Sequence, residues 1–127
     1  MTDPILYIDT SDIRPGQLET VRGLMTDLVA FVKAKEPQLI AYGFYIKEGG
    51  EAMTCVAIHP DSASMEFHMD IGWEKFRAFS DHIHQRSIDV YGPVSDHVID
   101  RLRRKIDMLG SGKVTRHGRH AGFTLSG

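Results

Sequence analysis

The sequence predicts an α+β domain in which helices cover one face of an antiparallel sheet. Along the chain, apolar residues alternate between the clustering typical of strands and the three-to-four-residue spacing of helices. The resulting order is βαββαβ, which is the ferredoxin-like pattern. A further apolar helical stripe follows this unit, so the prediction includes an added C-terminal helix and a last strand.

The first predicted strand and helix occupy the N-terminal third of the chain. Residues 5–9 form the strand, and Pro15-Gly16 mark the turn into the helix, since proline fits the first turn of a helix. Apolar residues recur on one helical face from Leu18 to Val32. The helix is expected to end near Lys35, because Pro37 disfavours helical geometry at the residue before it.

A predicted hairpin follows this helix. Residues 39–46 and 52–58 are rich in β-branched and aromatic types, and Gly49-Gly50 supply the turn between them. Both alternating sets of side chains in residues 39–46 are apolar or aromatic. A sheet face that apolar is expected to be covered, and we predict a symmetric homodimer formed through the sheet faces.

The second helix and the fourth strand complete the βαββαβ unit. Asp61 or Ser62 is expected to cap a helix that runs to about Ile71. Gly72 is expected to interrupt this helix before a second short helical piece. Residues 83–91 are the next predicted strand.

The C-terminal extension is predicted to pack on the same domain. Ser95 or Asp96 caps a further helix, whose stripe consists of Val98, Leu102, Ile106 and Leu109. A last strand is expected within residues 113–125, where Val114, Phe123 and Leu125 offer apolar surface to bury. We therefore expect one domain over residues 1–127, with a core at 5–91 and an extension at 93–127.

Composition narrows the classes of function. The 127 residues are 42% hydrophobic and 25% charged, an ordinary balance for one globular domain. The formal charge of -2 and the pI near 6.4 give no overall attraction to nucleic acid or to an anionic membrane. No apolar run is long enough to span a bilayer, and the N-terminus does not fit a secretory signal, so we expect a cytoplasmic protein.

The single cysteine, Cys55, lies in an apolar strand and is expected to pack rather than react.

Several short motifs carry a resemblance to a known family. "EPQLIAYGFY" after an amphipathic helix, a glycine turn, and a strand that ends in "HPDSASMEFHM" resemble the antibiotic biosynthesis monooxygenase family of dimeric α/β barrel proteins. The resemblance covers roughly residues 5–91. It implies a homodimer with a cavity in each protomer between sheet and helices, and by motif position it singles out Glu36, Tyr42 and His68.

The resemblance implies several possible activities, because family members include cofactor-independent oxygenases of aromatic polyketides or quinols and proteins with no established activity. Haem-degrading members also exist in the family. Their asparagine-tryptophan-histidine set is not assembled here at matching positions, because this chain has His59 where many members place a tryptophan and Trp73 near the place of a second histidine. We therefore rank haem degradation low and expect no cofactor.

His68 is the candidate catalytic residue, with two interpretations open. It shares a helical stripe with Met65, Met69 and Gly72, so it is expected to face the sheet. A partly buried neutral imidazole suits a general base that takes a proton from a phenol or hydroquinone. The alternative is a core histidine bonded to the backbone.

The remaining candidates line a predicted pocket for a small apolar or aromatic ligand. They are Tyr42, Tyr45, His59, Met65, Trp73 and Phe76. The simplest alternative for the tyrosines is sheet packing, and for Trp73 it is an anchor at the end of a helix.

Metal and nucleic-acid sites are weakly supported. His82 and His84 would project from one face of a strand, but the sequence fixes no third ligand, so no metal site is predicted. The basic run 101–105 is diluted by nearby aspartates and is typical of a solvated helix face. Two function classes remain: a small cofactor-independent monooxygenase, and a non-catalytic dimeric protein that binds a small apolar molecule.

Overall fold

A computed structural model describes residues 3–125 of the chain. Within them, five strands and three helices alternate as β1 (Ile5–Ile13), α1 (Leu18–Lys35), β2 (Ala41–Ile46), β3 (Ala52–His59), α2 (Ser62–Arg77), β4 (Ile83–Tyr91), α3 (Asp96–Leu109) and β5 (Gly110–His117). The predicted βαββαβ order and the added C-terminal helix and strand are confirmed. None of the helices in this part of the chain is long and apolar enough to cross a membrane.

The strands form one sheet in the order β2-β3-β1-β4-β5. The first four are antiparallel to their neighbours, as predicted, but β5 lies parallel to β4, so the whole sheet is mixed. The reason is the crossover helix: α3 carries the chain back along the sheet, and the next strand then runs in the same direction as β4.

All three helices lie on one face of the sheet. On the central strand β1, Ile5, Tyr7 and Asp9 are buried beneath the helices, whereas Leu6 and Ile8 point to the outer face and are half-buried. This alternation is the two-residue period of a strand with one face covered. The main core therefore lies between the sheet and the helices, and the outer face carries no element of the described chain.

Helix α2 is continuous through Gly72, so the predicted interruption is wrong. A Cβ atom at Gly72 would lie 2.6 Å from Cζ of Phe76, one turn further along the same helix. The glycine therefore makes room for the buried Phe76 ring rather than breaking the helix.

The bounds of four predicted strands change, that of β3 by the single residue His59. β1 extends to Ile13 rather than Asp9, because its polar residues pair with β3 on one side and β4 on the other. β2 begins at Ala41 rather than at residue 39. The last strand runs over Gly110–His117 rather than within 113–125, since Phe123 and Leu125 are exposed and only Val114 packs against the core.

Candidate active site

The first buried polar pair joins helix α2 to the end of α1. Glu36 caps the C-terminal end of α1, directly before Pro37, and His68 lies on the sheet-facing stripe of α2. Nδ1 of His68 lies 2.7 Å from Oε2 of Glu36, and both side chains are almost fully buried. The carboxylate therefore fixes the orientation of the imidazole ring from the side opposite Nε2.

His59 is a second buried histidine next to this pair. It ends β3, and its Nδ1 lies 2.8 Å from Oγ of Ser64 in the first turn of α2. Nε2 is buried and has no hydrogen-bond partner among residues 3–125. Burial lowers the pKa of His59 to about 3, with a smaller effect from His68, so the ring is neutral at ordinary pH.

The His68 ring is the centre of an aromatic cluster. Its ring centre lies 5.2 Å from that of Tyr42, 5.3 Å from that of His59 and 5.2 Å from that of Phe76. Four of the sequence-predicted candidates thus meet in one place. A fifth, Met65, is buried one turn before His68 on the same helix stripe.

Two predicted pocket residues lie elsewhere. Tyr45 projects to the outer face of the sheet and is 63% exposed, because β2 alternates and Tyr42 and Phe44 take the helix-facing positions. Trp73 is half-buried on α2 and does not line the internal cavity described next. Its position agrees with the alternative interpretation of a packing anchor.

An internal cavity lies between the sheet and all three helices. It leaves about 20 Å³ open to the centres of water-sized molecules, which is room for about one water. Most of its wall is apolar and includes Phe76. The polar or titratable side chains on the wall are Asp9, Tyr42, Cys55, Gln85 and Lys105. His68 and His59 are not on this wall, and His68 contacts it through Tyr42 and Phe76.

Tyr42 also lines a groove on the surface of the molecule. The groove has a volume of about 280 Å³ and runs past the end of α1 and the edge strand β2, where it includes Glu36 and Pro37. Tyr42 therefore borders the internal cavity, the groove and the His68 ring.

Tyr42 and Cys55 face each other on the cavity wall. Burial is the main cause that holds the pKa of Tyr42 well above its ordinary value, and the neighbouring Cys55 and Asp9 add to it. Burial, followed by Asp9, likewise raises the pKa of the Cys55 thiol. Both groups are neutral at ordinary pH, so Cys55 is a poor nucleophile, in agreement with the predicted packing role.

A second buried charged cluster was not predicted from the sequence. Nζ of Lys105 on α3 donates a hydrogen bond of 2.8 Å to the hydroxyl oxygen of Tyr7 and lies 3.5 Å from Oδ2 of Asp9. The Tyr7 hydroxyl donates to the same Asp9 oxygen. The sequence held one indication of it. Asp9 follows Ile5 and Tyr7 at the two-residue spacing of a strand, so its side chain faces the core with theirs.

The histidines considered as metal ligands do not converge. Nδ1 of His82 lies 2.6 Å from Oε1 of Gln17, while Nε2 of His84 lies 3.0 Å from Oγ of Ser111. No group of three metal-ligating side chains occurs in the described part of the chain.

Comparison with solved structures identifies the fold. MupZ from Pseudomonas fluorescens superimposes with a TM-score of 0.74 at 18% identity, covering 96% of this chain and 94% of MupZ. A structure described as an antibiotic biosynthesis monooxygenase matches with a TM-score of 0.58 at 20% identity, over 71% of this chain and 99% of its own. A conserved protein from Methanosarcina mazei gives 0.62 at 23% identity, over 70% of this chain and 91% of its own.

These matches define the class of protein by fold. The chain has the fold of antibiotic biosynthesis monooxygenase-like proteins, which confirms the predicted structural resemblance. The 96% coverage by MupZ means that this likeness extends into α3 and β5, beyond the core at 5–91. No protein-family model and no curated protein matches the sequence.

Proposed function

We propose that this protein is a cofactor-independent monooxygenase that acts on a small aromatic, quinol-like or polyketide-like compound in the cytoplasm. The observation that carries the proposal is the position of Tyr42, which borders the internal cavity, the surface groove and the buried Glu36–His68 pair. The likeness to a structure described as an antibiotic biosynthesis monooxygenase supports the same class of reaction.

Movement of Tyr42 brings substrate and base together in this proposal. The cavity as it stands has room for about one water, and the Tyr42 ring lines both this cavity and the groove. A substrate that enters from the groove and turns this ring aside joins the groove to the cavity. The substrate then lies against Phe76 and next to His68. In the present structure the His68 ring packs on both Phe76 and Tyr42.

The chemistry requires a base and molecular oxygen. His68 accepts the proton of a substrate phenol or enol, and the Glu36 carboxylate stabilises the imidazolium that results. The electron-rich anion reduces O2, and a new carbon–oxygen bond forms at a ring C–H carbon ortho or para to the ionised oxygen. Loss of water from the hydroperoxide leaves a carbonyl, so the substrate loses the O–H and C–H hydrogens, gains one oxygen atom of O2, and the other oxygen atom leaves as H2O.

A dimer through the outer sheet face belongs to the same proposal. Leu6 and Ile8 on β1, together with Val56 and Ile58 on β3, form an apolar patch that the three helices do not cover. A second copy of the chain covers this patch by two-fold symmetry. The cavity lies on the opposite side of the sheet and stays separate in each protomer.

Oxygen uptake with a panel of hydroquinones and naphthols tests the proposal. His68→Ala is expected to lower turnover by about 10²–10⁴-fold, the usual contribution of a general base. His68→Gln retains a polar contact for Glu36 and is expected to restore stability without restoring rate. His97→Gln, at an exposed position on α3, serves as the matched control.

Two results would count against this assignment. If His68→Ala and His68→Gln shift the melting temperature but change turnover by no more than a few-fold, His68 is a structural residue. If the wild-type protein binds members of the panel but consumes no oxygen, the non-catalytic binding function replaces the oxygenase.

A further inference from the structure

The internal cavity is too small for an aromatic substrate, but its size and its wall suit a small apolar molecule. About 20 Å³ is open to the centres of water-sized molecules, so the occupant is no larger than a diatomic gas. Most of the wall gives a water nothing to bond with, which favours an apolar occupant. The apolar side chains of the wall are Leu28, Phe44, Met53, Phe76, Phe79, Ile83 and Leu109.

The charged groups on the wall are bonded to one another. Nζ of Lys105 donates 2.8 Å to the Tyr7 hydroxyl and lies 3.5 Å from Oδ2 of Asp9, which also accepts from Tyr7. These contacts use two of the three N–H donors of the ammonium and offset the charge of the carboxylate.

The ammonium of Lys105 keeps one donor for an occupant of the cavity. The ring centres of Phe76 and Tyr7 lie 4.3 Å and 4.9 Å from Nζ, and Phe76 is on the cavity wall with Lys105. A ring face is a weak acceptor compared with a charged oxygen. The third N–H is therefore free to turn to a molecule in the cavity that gains negative charge.

We infer that this cavity holds molecular oxygen, and that Lys105 stabilises the superoxide formed when O2 takes an electron from the substrate. The inference rests on the proposed function, in which the substrate displaces the Tyr42 ring and lies against the cavity wall at Phe76. One electron passes from the substrate anion to O2, which leaves a substrate radical beside superoxide. A positive charge favours this step because negative charge develops on the oxygen. The two radicals then join to form the carbon–oxygen bond, and the peroxide anion takes the proton held by His68.

Nuclear magnetic resonance under oxygen pressure tests the site in the protein alone. Dissolved O2 is paramagnetic and speeds the relaxation of protons that it contacts. The methyl groups of Met53 and Leu109 on the wall are compared with those of Met69 and Leu102, which are also buried but lie off the wall. We expect the relaxation to increase several times more at Met53 and Leu109. Equal increases at all four residues, or a water that stays in contact with the wall methyl groups under O2 pressure, would overturn the inference.

A cavity-filling variant checks that the effect comes from this space. Cys55→Val replaces a thiol on the wall with a side chain larger by about one methyl group, and Val21→Ile adds a similar volume at a buried position off the wall. We expect Cys55→Val to abolish the additional relaxation at Met53 and Leu109, and Val21→Ile to retain it. Retention in Cys55→Val would count against the cavity as the site. The comparison within the wild-type protein needs no variant and decides the question if Cys55→Val does not fold.

The dependence of oxygen uptake on O2 concentration tests the role of Lys105. Lys105→Met combined with Asp9→Asn removes both charges together, so that neither is left buried without its partner. We expect kcat/KM for O2 to fall by about 10²-fold, while the anaerobic affinity for the aromatic substrate is unchanged. Lys113→Met, at an exposed position, is the control and keeps the wild-type value. An unchanged kcat/KM for O2 in the double variant would remove Lys105 from the mechanism.

The outcomes separate this inference from the proposed function. Faster relaxation at Met53 and Leu109 without oxygen uptake on any aromatic compound refutes the oxygenase and leaves the oxygen-binding cavity in place. Oxygen uptake that depends on His68, in a protein whose wall methyl groups relax no faster than Met69 and Leu102, refutes the cavity as the oxygen site and leaves the oxygenase in place.

Discussion

Lys105 and Asp9 show how a buried charge escapes detection in a sequence. Asp9 has the parity of the buried residues of β1, and Lys105 follows Leu102 by three positions on the apolar stripe of α3. Each looks like a polar break in an apolar pattern, because its partner lies 96 residues away in the chain. By contrast, His68 was found because two methionines flank it at helical spacing. The Glu36 contact that orients it is again distant in sequence, at a separation of 32.

Removing one member of the Lys105–Asp9 pair is expected to be costly. Lys105→Met leaves the Asp9 carboxylate buried without its cation and is expected to lower the free energy of unfolding by about 3–5 kcal/mol. Adding Asp9→Asn is expected to recover most of that loss. Chemical denaturation of both variants checks this, with the exposed Lys113→Met as control. Equal losses in the single and double variants would contradict the pairing.

His59 predicts a loss of stability in mild acid. Its pKa is about 3 in the folded protein, against 6.5 for a histidine free of these effects, so between these values the unfolded chain binds the additional proton. Stability is therefore unaffected by His59 above pH 6.5 and falls as the pH drops toward 3, by at most about 1.4 kcal/mol per pH unit. The pH dependence of unfolding is expected to be shallower in His59→Gln than in His97→Gln. Parallel curves for the two variants would contradict the buried neutral state of His59.

At the scale of elements, the sequence predicted what depends on local periodicity. The C-terminal ends of α1 and β4 follow from Pro37 and the Gly92-Pro93 pair, and the structure confirms them. Pro15 and Gly16 form the turn before α1, but Pro15 lies outside the first turn of the helix, which begins at Leu18. The direction of β5 was not predictable in this way, because it depends on how α3 crosses the sheet. The wrong prediction at Gly72 also comes from a contact that local sequence does not show. Glycine weakens an isolated helix, but in the folded protein Gly72 leaves space for the ring of Phe76.

Two glycine-to-alanine substitutions test that account of Gly72. Alanine favours a helix over glycine by about 1 kcal/mol, so Gly23→Ala on α1, where an added Cβ meets nothing within 4 Å, is expected to stabilise the protein by about 0.5–1 kcal/mol. Gly72→Ala collides with Phe76 and is expected to destabilise it by about 1–3 kcal/mol. Thermal unfolding measures both. Stabilisation by Gly72→Ala would show that Phe76 can move without cost.

The two faces of the sheet have different proposed roles. The helix-covered face holds the cavity, the Glu36–His68 pair and the Lys105 cluster, while the outer face carries the apolar patch proposed for dimerisation. The alternation of side chains that creates both faces could be predicted from the sequence. Which residues of 39–46 face the helices could not, because both alternating sets are apolar or aromatic. The structure shows that Tyr42 faces the helices and Tyr45 the outer side, so a substitution that tests the dimer belongs on the side of the sheet to which Tyr45 points.

Val56→Lys is the appropriate test of dimerisation. Val56 pairs with Ile8 in the middle of the outer face, so a lysine there places a charge at the centre of the proposed interface. Sedimentation is expected to show a wild-type dimer and a Val56→Lys monomer at micromolar concentration. Thr20→Lys, exposed on α1, carries the same charge change and is expected to remain dimeric. A wild-type monomer would refute the proposed interface.

Isotope labelling tests the central claim that the cavity supports oxygenation without a cofactor. Metal-free protein is incubated under ¹⁸O2 with the hydroquinone or naphthol that gives the fastest oxygen uptake, and the product is analysed by mass spectrometry. We expect one ¹⁸O atom in the product, with one water formed per O2 consumed, and a rate that falls by about 10²–10⁴-fold in His68→Gln. An unlabelled product, or labelling at the same rate in the variant as in wild type, would contradict the account.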